Sequence, residues 1–360
     1  MRYTKTTANL FITNRAQFAG QMKENCCSAA VLHSNDLMPK NADQMLTFQQ
    51  NSDLFYLSGI DQEETILLLF KTPEKIEEIL FIKETSDLIK VWEGEKLSKK
   101  EASEISGVKK VFWETEFKEV FQKILNKCEY VYLNSNEHPR AKVVVETRDA
   151  RFQKWIRNTF KKKTYLKTAD ILYGMRSVKK DEEVEQIKKA CNITKKGVER
   201  VLKFLKPGVY EYQIEAEIIH EFINNRSRGF AYNPIIASGK NACILHYDTN
   251  NQQCQDGDVV LMDFGAEYGN YASDLTRCFP VNGVFTRRQK AVYNSVLNVM
   301  KKATELLRPG VMLADYEKNV GELMSEELIN LGLLSIEDVL ALAPKLFMGQ
   351  PCGLHIIISD

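Results

Sequence analysis

The sequence lacks the features that would place it in several special classes of protein. Its 360 residues carry 49 Lys and Arg against 48 Asp and Glu, so the net charge of +1 favours neither nucleic acid nor an anionic membrane as a partner. No apolar run approaches the roughly 18 residues of a transmembrane span. The first residues contain no apolar segment typical of a secretory signal. We therefore predict a soluble protein with a cytoplasmic location.

The eight cysteines form no Cys-x-x-Cys pair and have no regular spacing. This pattern argues against a zinc knuckle and against a disulfide framework. Cys26 and Cys27 are adjacent, and adjacent cysteines rarely bridge comfortably. We interpret the cysteines mostly as reduced, partly buried thiols.

The length exceeds one usual core and predicts two domains, and the 44% hydrophobic content is ample for both. Residues 1–165 alternate strand-like and helix-like segments, which indicates an α/β layer. The strand-like segments include Ile79–Ile82, Val108–Trp113 and Tyr130–Leu133. Thr115 is the predicted N-cap of a helix whose apolar residues have a 3–4 spacing. These apolar residues are Phe117, Val120, Phe121, Ile124 and Leu125.

Two further segments of this half have simple interpretations. Residues 48–60 could form a ligand-binding loop, but we expect their aromatic side chains to fill core space. The basic run Lys161–Lys163 is typical of a solvated linker, and residues 166–360 are predicted to form the second domain.

The second half begins with a long predicted helix, with Asp181 as its candidate N-cap and Pro207-Gly208 as its end. Its predicted buried stripe consists of Val184, Ile187, Cys191, Val198, Val201 and Leu205.

A second helix, from about Arg288, repeats this pattern and ends at a second Pro-Gly-Val turn. Its stripe is Val292, Val296, Val299 and Ala303. The turns at 207–209 and 309–311 each precede another helical stretch, which suggests an internal duplication. Two such halves would leave a cleft between their sheets, a natural place for a ligand.

Asp263 and Asp274 lie in a segment predicted to form a β-hairpin around Gly269-Asn270. With those two residues as the loop, Tyr268 pairs with Tyr271 and the two aspartates become diagonal neighbours on one face, roughly 7 to 8 Å apart at Cα.

Such a carboxylate pair has two explanations. Without a cation the carboxylates would repel and one would take up a proton, whereas one or two divalent metals would keep both ionised. The spacing thus suggests a metal site, with Gly265 leaving room beside Asp274. The alternative is a solvated hairpin face, because Asp is common near turns.

His246 is predicted to end a short apolar strand in the segment Ala237–Tyr247. An imidazole there could donate a hydrogen bond to a developing oxyanion or shuttle a proton near neutral pH. A structural histidine explains the pattern as well, and the spacing leaves both open.

The segment Ala237–Tyr247, the aspartate hairpin with Thr276-Arg277, and Phe279–Gly283 together resemble the aminopeptidase P family of Xaa-Pro aminopeptidases. The resemblance covers nearly the whole chain. It implies an α/β, creatinase-like amino-terminal domain followed by a duplicated "pita-bread" α/β catalytic domain. An association of subunits into a homo-oligomer is also implied.

By this resemblance, Asp263 and Asp274 are two ligands of a dinuclear manganese centre, and His246 assists at the scissile peptide. Hard divalent cations prefer such oxygen ligands. The implied substrates are peptides with an N-terminal Xaa-Pro, cleaved by a metal-bridging hydroxide.

The last residues depart from the family pattern, which requires three further ligands. With one deletion after Met348, the liganding histidine of the family would fall near Cys352 and a second, distal histidine near Ser359, and His355 aligns cleanly with neither. The two glutamates would lie beyond Asp360. We therefore expect a catalytic domain that is truncated, as by a change of reading frame, with weak metal binding and doubtful turnover.

Two alternatives follow. The chain could be a non-catalytic peptide-binding protein that retains the fold, or a prolidase-type dipeptidase, which differs from an aminopeptidase P mainly in substrate length. The large amino-terminal domain argues against a methionine aminopeptidase.

Overall fold

The computed structural model describes residues 3–135, 137–138 and 144–339. Contacts divide the chain into two units, the first formed by Met1–Ala190 and Glu267–Ala272, the second by Cys191–Ala266 and Ser273–Asp360. In the described part of the chain, no helix is both long and apolar enough to cross a membrane.

The first unit is an α/β domain. Its strands are β1 (Ser28–His33), β2 (Pro39–Asn41), β3 (Gln44–Met45), β4 (Ile66–Lys71), β5 (Ile76–Ile82), β6 (Lys110–Trp113), β7 (Tyr130–Leu133) and β8 (Thr164–Lys167). Its helices are α1 (Ala8–Gln21), α2 (Ser52–Ser58), α3 (Asp87–Glu93), α4 (Lys99–Ser106), α5 (Phe117–Leu125), α6 (Arg148–Thr159) and α7 (Ala169–Ser177).

The main sheet of this unit has the order β6-β5-β4-β1-β7-β8 and is mixed. The central β1 pairs antiparallel with β4 and parallel with β7. The side chains of β1 alternate between two cores: Ala30 and Leu32 face one, Ala29 and Val31 the other. Helices cover both faces, which explains why β1 is buried along its whole length.

The strand and core predictions for this unit are confirmed, whereas one helix cap is wrong and the run Lys161–Lys163 is a turn between α6 and β8 inside the unit, not a linker. Strand β7 has the predicted bounds, and Phe117, Phe121 and Leu125 are buried on α5. Thr115 is not the cap, because residues Glu114–Glu116 form a 3-10 turn that leads directly into α5. Residues 48–60 fill the core, with Leu54, Phe55, Tyr56 and Leu57 of α2 buried.

Helix α8 (Asp181–Phe204) runs from the first unit into the second. Asp181 is its first residue and not its cap, since the carbonyl of Lys180 accepts the first helical hydrogen bond, from Val184 N at 3.0 Å. The predicted stripe is also wrong at Cys191, which is exposed. The buried positions are largely polar or small: Glu183, Gln186, Ala190, Ile193, Thr194, Gly197 and Val201.

The described elements of the second unit are helices α9 (Glu211–Asn224), α10 (Arg287–Leu306) and α11 (Leu313–Asn330), and strands β9 (Gly229–Phe230), β10 (Ile235–Ser238), β11 (Val259–Phe264) and β14 (Leu275–Pro280). Strands β12 (Ala266–Tyr268) and β13 (Tyr271–Ala272) lie between β11 and β14 in the chain. Strands β10, β11 and β14 form an antiparallel sheet. The side chains of Phe222 on α9 and Phe264 on β11 pack with ring centroids 6.0 Å apart.

The repeat predicted from the two Pro-Gly-Val turns is present, and each turn joins two helices. Helices α8 and α9 flank the first turn, and α10 and α11 flank the second. Gly208 and Gly310 have φ values of +92° and +91°, which glycine adopts readily. On α10, Val292, Val299 and Ala303 are buried as predicted, whereas Val296 is 41% exposed.

Replacement of Asn51 by alanine tests the core role of α2. The Asn51 side chain caps α2 by accepting hydrogen bonds from Asp53 N at 3.0 Å and Leu54 N at 3.1 Å. We expect Asn51→Ala to lower the free energy of unfolding in urea by about 1 kcal/mol. The matched control is Ser86→Ala, which removes the cap of α3, a helix with no buried residue, and should change it much less. Equal losses in both variants would contradict the prediction.

Candidate metal centre

The aspartate hairpin has the predicted register. Tyr268 pairs with Tyr271 and Asp263 pairs with Thr276. Gly269 and Asn270 have φ values of +62° and +65°, as a two-residue type I′ turn requires. Between the β11–β14 ladder and the β12–β13 ladder, Gly265 lies opposite the backbone of Ser273 and Asp274.

Gly265 is required by the close approach of the opposite strand. A Cβ at this position would lie 1.7 Å from the carbonyl oxygen of Ser273 and 3.1 Å from Asp274 N. The adjacent rung is tied by side chains: Ala266 N donates to Thr194 Oγ1 at 2.9 Å and to Ser273 Oγ at 3.0 Å. Thr194 and Ser273 also share a hydrogen bond of 2.7 Å. These contacts fix the backbone immediately before Asp274.

Asp263 and Asp274 meet at a single side chain, the hydroxyl of Tyr232. The Tyr232 oxygen lies 2.6 Å from Asp263 Oδ1 and 2.8 Å from Asp274 Oδ1. Tyr232 directly follows Ala231, whose backbone N donates to the Gly265 carbonyl at 2.8 Å. The predicted proximity of the two carboxylates is therefore present, and a tyrosine from a separate segment lies between them.

The charge balance at this hydroxyl is unusual. Burial, followed by the hydrogen bonds to Asp263 and Asp274, raises the pKa of Tyr232 above its usual value, so the phenol keeps its proton at neutral pH. One phenol has only one proton to donate. One of the two short oxygen–oxygen contacts therefore needs a proton or a cation from elsewhere.

A divalent cation fits this donor set. It would neutralise two carboxylates that one hydroxyl cannot satisfy, and carboxylate oxygens are the ligands that hard cations prefer. Within the described ranges, no group of three or more His, Cys, Asp and Glu could hold a metal ion. Cys352, His355 and Ser359, the positions compared above with the family histidines, lie outside the described residues.

His246 does not end a strand, contrary to the prediction. Residues Gly239–Cys243 form a 3-10 helix after β10, and His246 is exposed in the turn that follows. The polar Asn241 and Tyr247 on either side face inward and hydrogen-bond to each other, so the apolar residues Ile244 and Leu245 are left exposed. The contacts described for Asp263 and Asp274 do not include His246.

Tyr232 is the site residue that sequence reasoning missed. It precedes Asn233-Pro234, and nothing in the neighbouring sequence indicates that its hydroxyl contacts a distant hairpin. The hydrogen bond from Ala231 N to the Gly265 carbonyl places it beside the aspartates.

Comparison with known proteins assigns the chain to a family. Residues 185–356 match the model of metallopeptidase family M24, and residues 11–132 match the aminopeptidase P, N-terminal domain. The Xaa-Pro aminopeptidase of Escherichia coli is 33% identical over 318 residues, which are 87% of this chain and 72% of that protein. The chain belongs to the aminopeptidase P family.

Other relatives agree. The Xaa-Pro aminopeptidase of Haemophilus influenzae is 33% identical, with 90% of this chain and 73% of that protein covered. An aminopeptidase P structure from Bacillus anthracis superposes with a TM-score of 0.87 at 32% identity, covering 93% of this chain and 80% of that one. An Escherichia coli aminopeptidase P in complex with substrate gives a TM-score of 0.83 at 32% identity, with coverage of 95% and 78%.

Membership in the family confirms the predicted fold class, an α/β amino-terminal domain followed by a pita-bread metallopeptidase domain. It also implies divalent metal ions, and one of the similar structures is a zinc-substituted Escherichia coli aminopeptidase P in complex with product. Within the described residues, the aspartate pair is the candidate set of ligands for such an ion.

A methyl group at Gly265 tests the close approach within the hairpin. Gly265→Ala places a Cβ against the Ser273 carbonyl, so the backbone beside Asp274 must shift. We expect the free energy of unfolding to fall by about 3 kcal/mol, the upper end for overpacking. In Gly174→Ala, the control, a Cβ would meet no atom within 4 Å. Equal urea midpoints for Gly265→Ala and the parent chain would show that the hairpin tolerates the methyl group.

Loss of the shared hydroxyl should be measurable without metal. Tyr232→Phe removes the donor between two carboxylates, and hydrogen bonds to charged groups contribute about 1.5 to 3 kcal/mol. We expect metal-free Tyr232→Phe to lose stability in this range in urea unfolding. Tyr212→Phe, at a ring 51% exposed, is the control. If the two variants are equally stable, the hydroxyl is not what satisfies the aspartates.

Proposed function

We propose that this chain is a metal-dependent aminopeptidase that releases the N-terminal residue from peptides with proline in the second position. The observation that carries the proposal is the pair Asp263 and Asp274, which lie within 2.6 and 2.8 Å of one shared hydroxyl. The names of the similar proteins support the substrate class, because both bacterial relatives above are Xaa-Pro aminopeptidases.

In this proposal Asp263 and Asp274 hold the divalent ions, with manganese as the preferred metal. A bound divalent ion supplies Lewis-acid chemistry and activates water for attack on a peptide carbonyl. Tyr232 donates its proton to whichever aspartate oxygen is free to accept it. His246 donates a hydrogen bond or a proton at the scissile peptide, a role suited to an exposed imidazole near neutral pH.

Several finer points belong to the same proposal. We propose a cytoplasmic location and association into homo-oligomers. The predicted division between residues 165 and 166 falls within β8, and the contacts extend the first unit to Ala190.

The comparisons do not favour the two alternatives, a non-catalytic peptide-binding protein and a prolidase-type dipeptidase. Peptide length separates the dipeptidase from the aminopeptidase. An Xaa-Pro dipeptide and an Xaa-Pro-Xaa tripeptide should therefore be assayed side by side, with the tripeptide expected to be the better substrate.

The deciding experiment measures release of the first residue from an Xaa-Pro-Xaa peptide with added manganese. We expect release by the parent chain, its loss on chelation, and its return when manganese is restored. Asp263→Asn and Asp274→Asn should each reduce kcat/KM by about 100-fold or more, since removal of one charged ligand weakens both binding and polarisation. Asp315→Asn is the control, because Asp315 is an exposed aspartate in the first turn of α11.

Undiminished release by Asp263→Asn would contradict the assignment of this residue. Calorimetric titration tests the non-catalytic alternative. That alternative would be favoured if proline-containing peptides bound equally well with and without manganese and no residue were released under either condition. No release by the parent chain, with release by a version that carries the family's C-terminal segment, would contradict the proposal that this chain is itself active.

A further inference from the structure

The loop of residues 239–252, here called the His246 loop, follows β10 and has His246 at its exposed part. Gly239–Cys243 form a 3-10 helix, and residues 244–252 belong to no helix or strand. The conformation of the loop therefore depends on side-chain contacts. Both ends of the loop and its middle converge on one side chain, the carboxylate of Glu211.

Glu211 is the first residue of α9 and is fully buried, with 0% exposure. Its Oε1 accepts hydrogen bonds from Ser238 N at 2.8 Å and Asn241 Nδ2 at 3.1 Å. Its Oε2 accepts from Tyr247 Oη at 2.6 Å and Gln252 N at 2.9 Å. The carboxylate therefore contacts the entry, the helical turn, the residue after His246 and the exit.

Only a carboxylate can accept all four hydrogen bonds. Each of its two oxygens accepts two, whereas glutamine would turn an NH2 group toward two of the donors. Tyr247 keeps its proton and remains a donor at neutral pH, since burial and its hydrogen bond to Glu211 raise its pKa to about 12. The backbone of Glu211 is also held, with its N donating to the Gln252 carbonyl at 2.9 Å.

The anchored loop is joined to the sheet of the aspartate site. Ser238 ends β10, and Ile235 on the same strand pairs with Asp263. Asn250, near the exit of the loop, adds a second tie by accepting from Ile236 N at 2.9 Å and donating to the Pro234 carbonyl at 2.9 Å. The His246 loop is thus fixed to the strand beside Asp263.

We propose that Glu211 is a positioning residue that holds the His246 loop, and with it the imidazole, in register with the strand that carries Asp263. The effect on catalysis rests on the function proposed above for His246. The anchoring itself does not, and it is tested separately.

Hydrogen exchange of the full chain, read by mass spectrometry over residues 239–252, tests the anchoring. We expect Glu211→Gln to speed exchange there by about ten-fold or more, because local opening no longer breaks four charged hydrogen bonds. Tyr247→Phe, which removes one donor and keeps the charge, should give a smaller increase in the same peptides. Glu217→Gln is the control, since Glu217 lies on α9 and pairs with Arg200. Unchanged exchange in Glu211→Gln would overturn the proposal.

Kinetics test whether Glu211 acts through His246. We expect Glu211→Gln to lower kcat by about ten-fold with KM within about two-fold, the pattern of an interaction lost mainly in the transition state. In a His246→Ala background the same change should have less than about two-fold further effect, since the two act as a unit. Equal losses in both backgrounds would overturn the positioning role. A parent chain that releases no residue would refute the proposed function, while the exchange experiment would still decide the anchoring.

Discussion

The candidate centre depends on one constraint, which is that the carboxylates of Asp263 and Asp274 are held close together. Two carboxylates can stay together only if protons or cations satisfy their oxygens, and among the described residues one hydroxyl proton, from Tyr232, is shared between them. The backbone enforces the same proximity, because Gly265 lets the opposite strand approach to a distance that excludes any Cβ. The candidate site thus has two carboxylates and one shared proton, an imbalance that a divalent ion would relieve.

Helix α8 supports the hairpin through polar contacts, and this explains the composition of its buried face. Tyr271 Oη donates to Glu183 at 3.1 Å, and Thr194 hydrogen-bonds to Ser273 at 2.7 Å. Ala266 N donates to both Thr194 Oγ1 and Ser273 Oγ. Because the ladder of the hairpin is broken between β11 and β12, the helix packed against it must offer hydrogen-bonding groups, since buried backbone N–H groups are costly when unpaired.

Sequence patterns predicted the local features, such as the hairpin register, but not the contacts between segments that are distant along the chain. The hairpin register follows from Gly269-Asn270 and two flanking tyrosines, so Asp263 and Asp274 could be placed on one face in advance. Tyr232 and Glu211 could not be assigned roles, because each contacts segments at least 27 residues away along the chain. The apolar stripe predicted for α8 failed at Cys191 for a related reason: apolar periodicity does not detect a buried face made of Glu183 and Thr194.

The two segments that carry the candidate site residues are held in the same way. In the hairpin, Thr194 and Ser273 secure the rung beside Asp274, and in the His246 loop, Glu211 secures the turn beside His246. In both places side chains replace a regular backbone ladder. A regular ladder is hydrogen-bonded along its whole length, whereas each of these segments depends on one or two side chains. A single substitution can therefore displace a candidate site residue while leaving the cores of both units intact. We expect such a substitution to change the position of that residue more than it changes the free energy of unfolding.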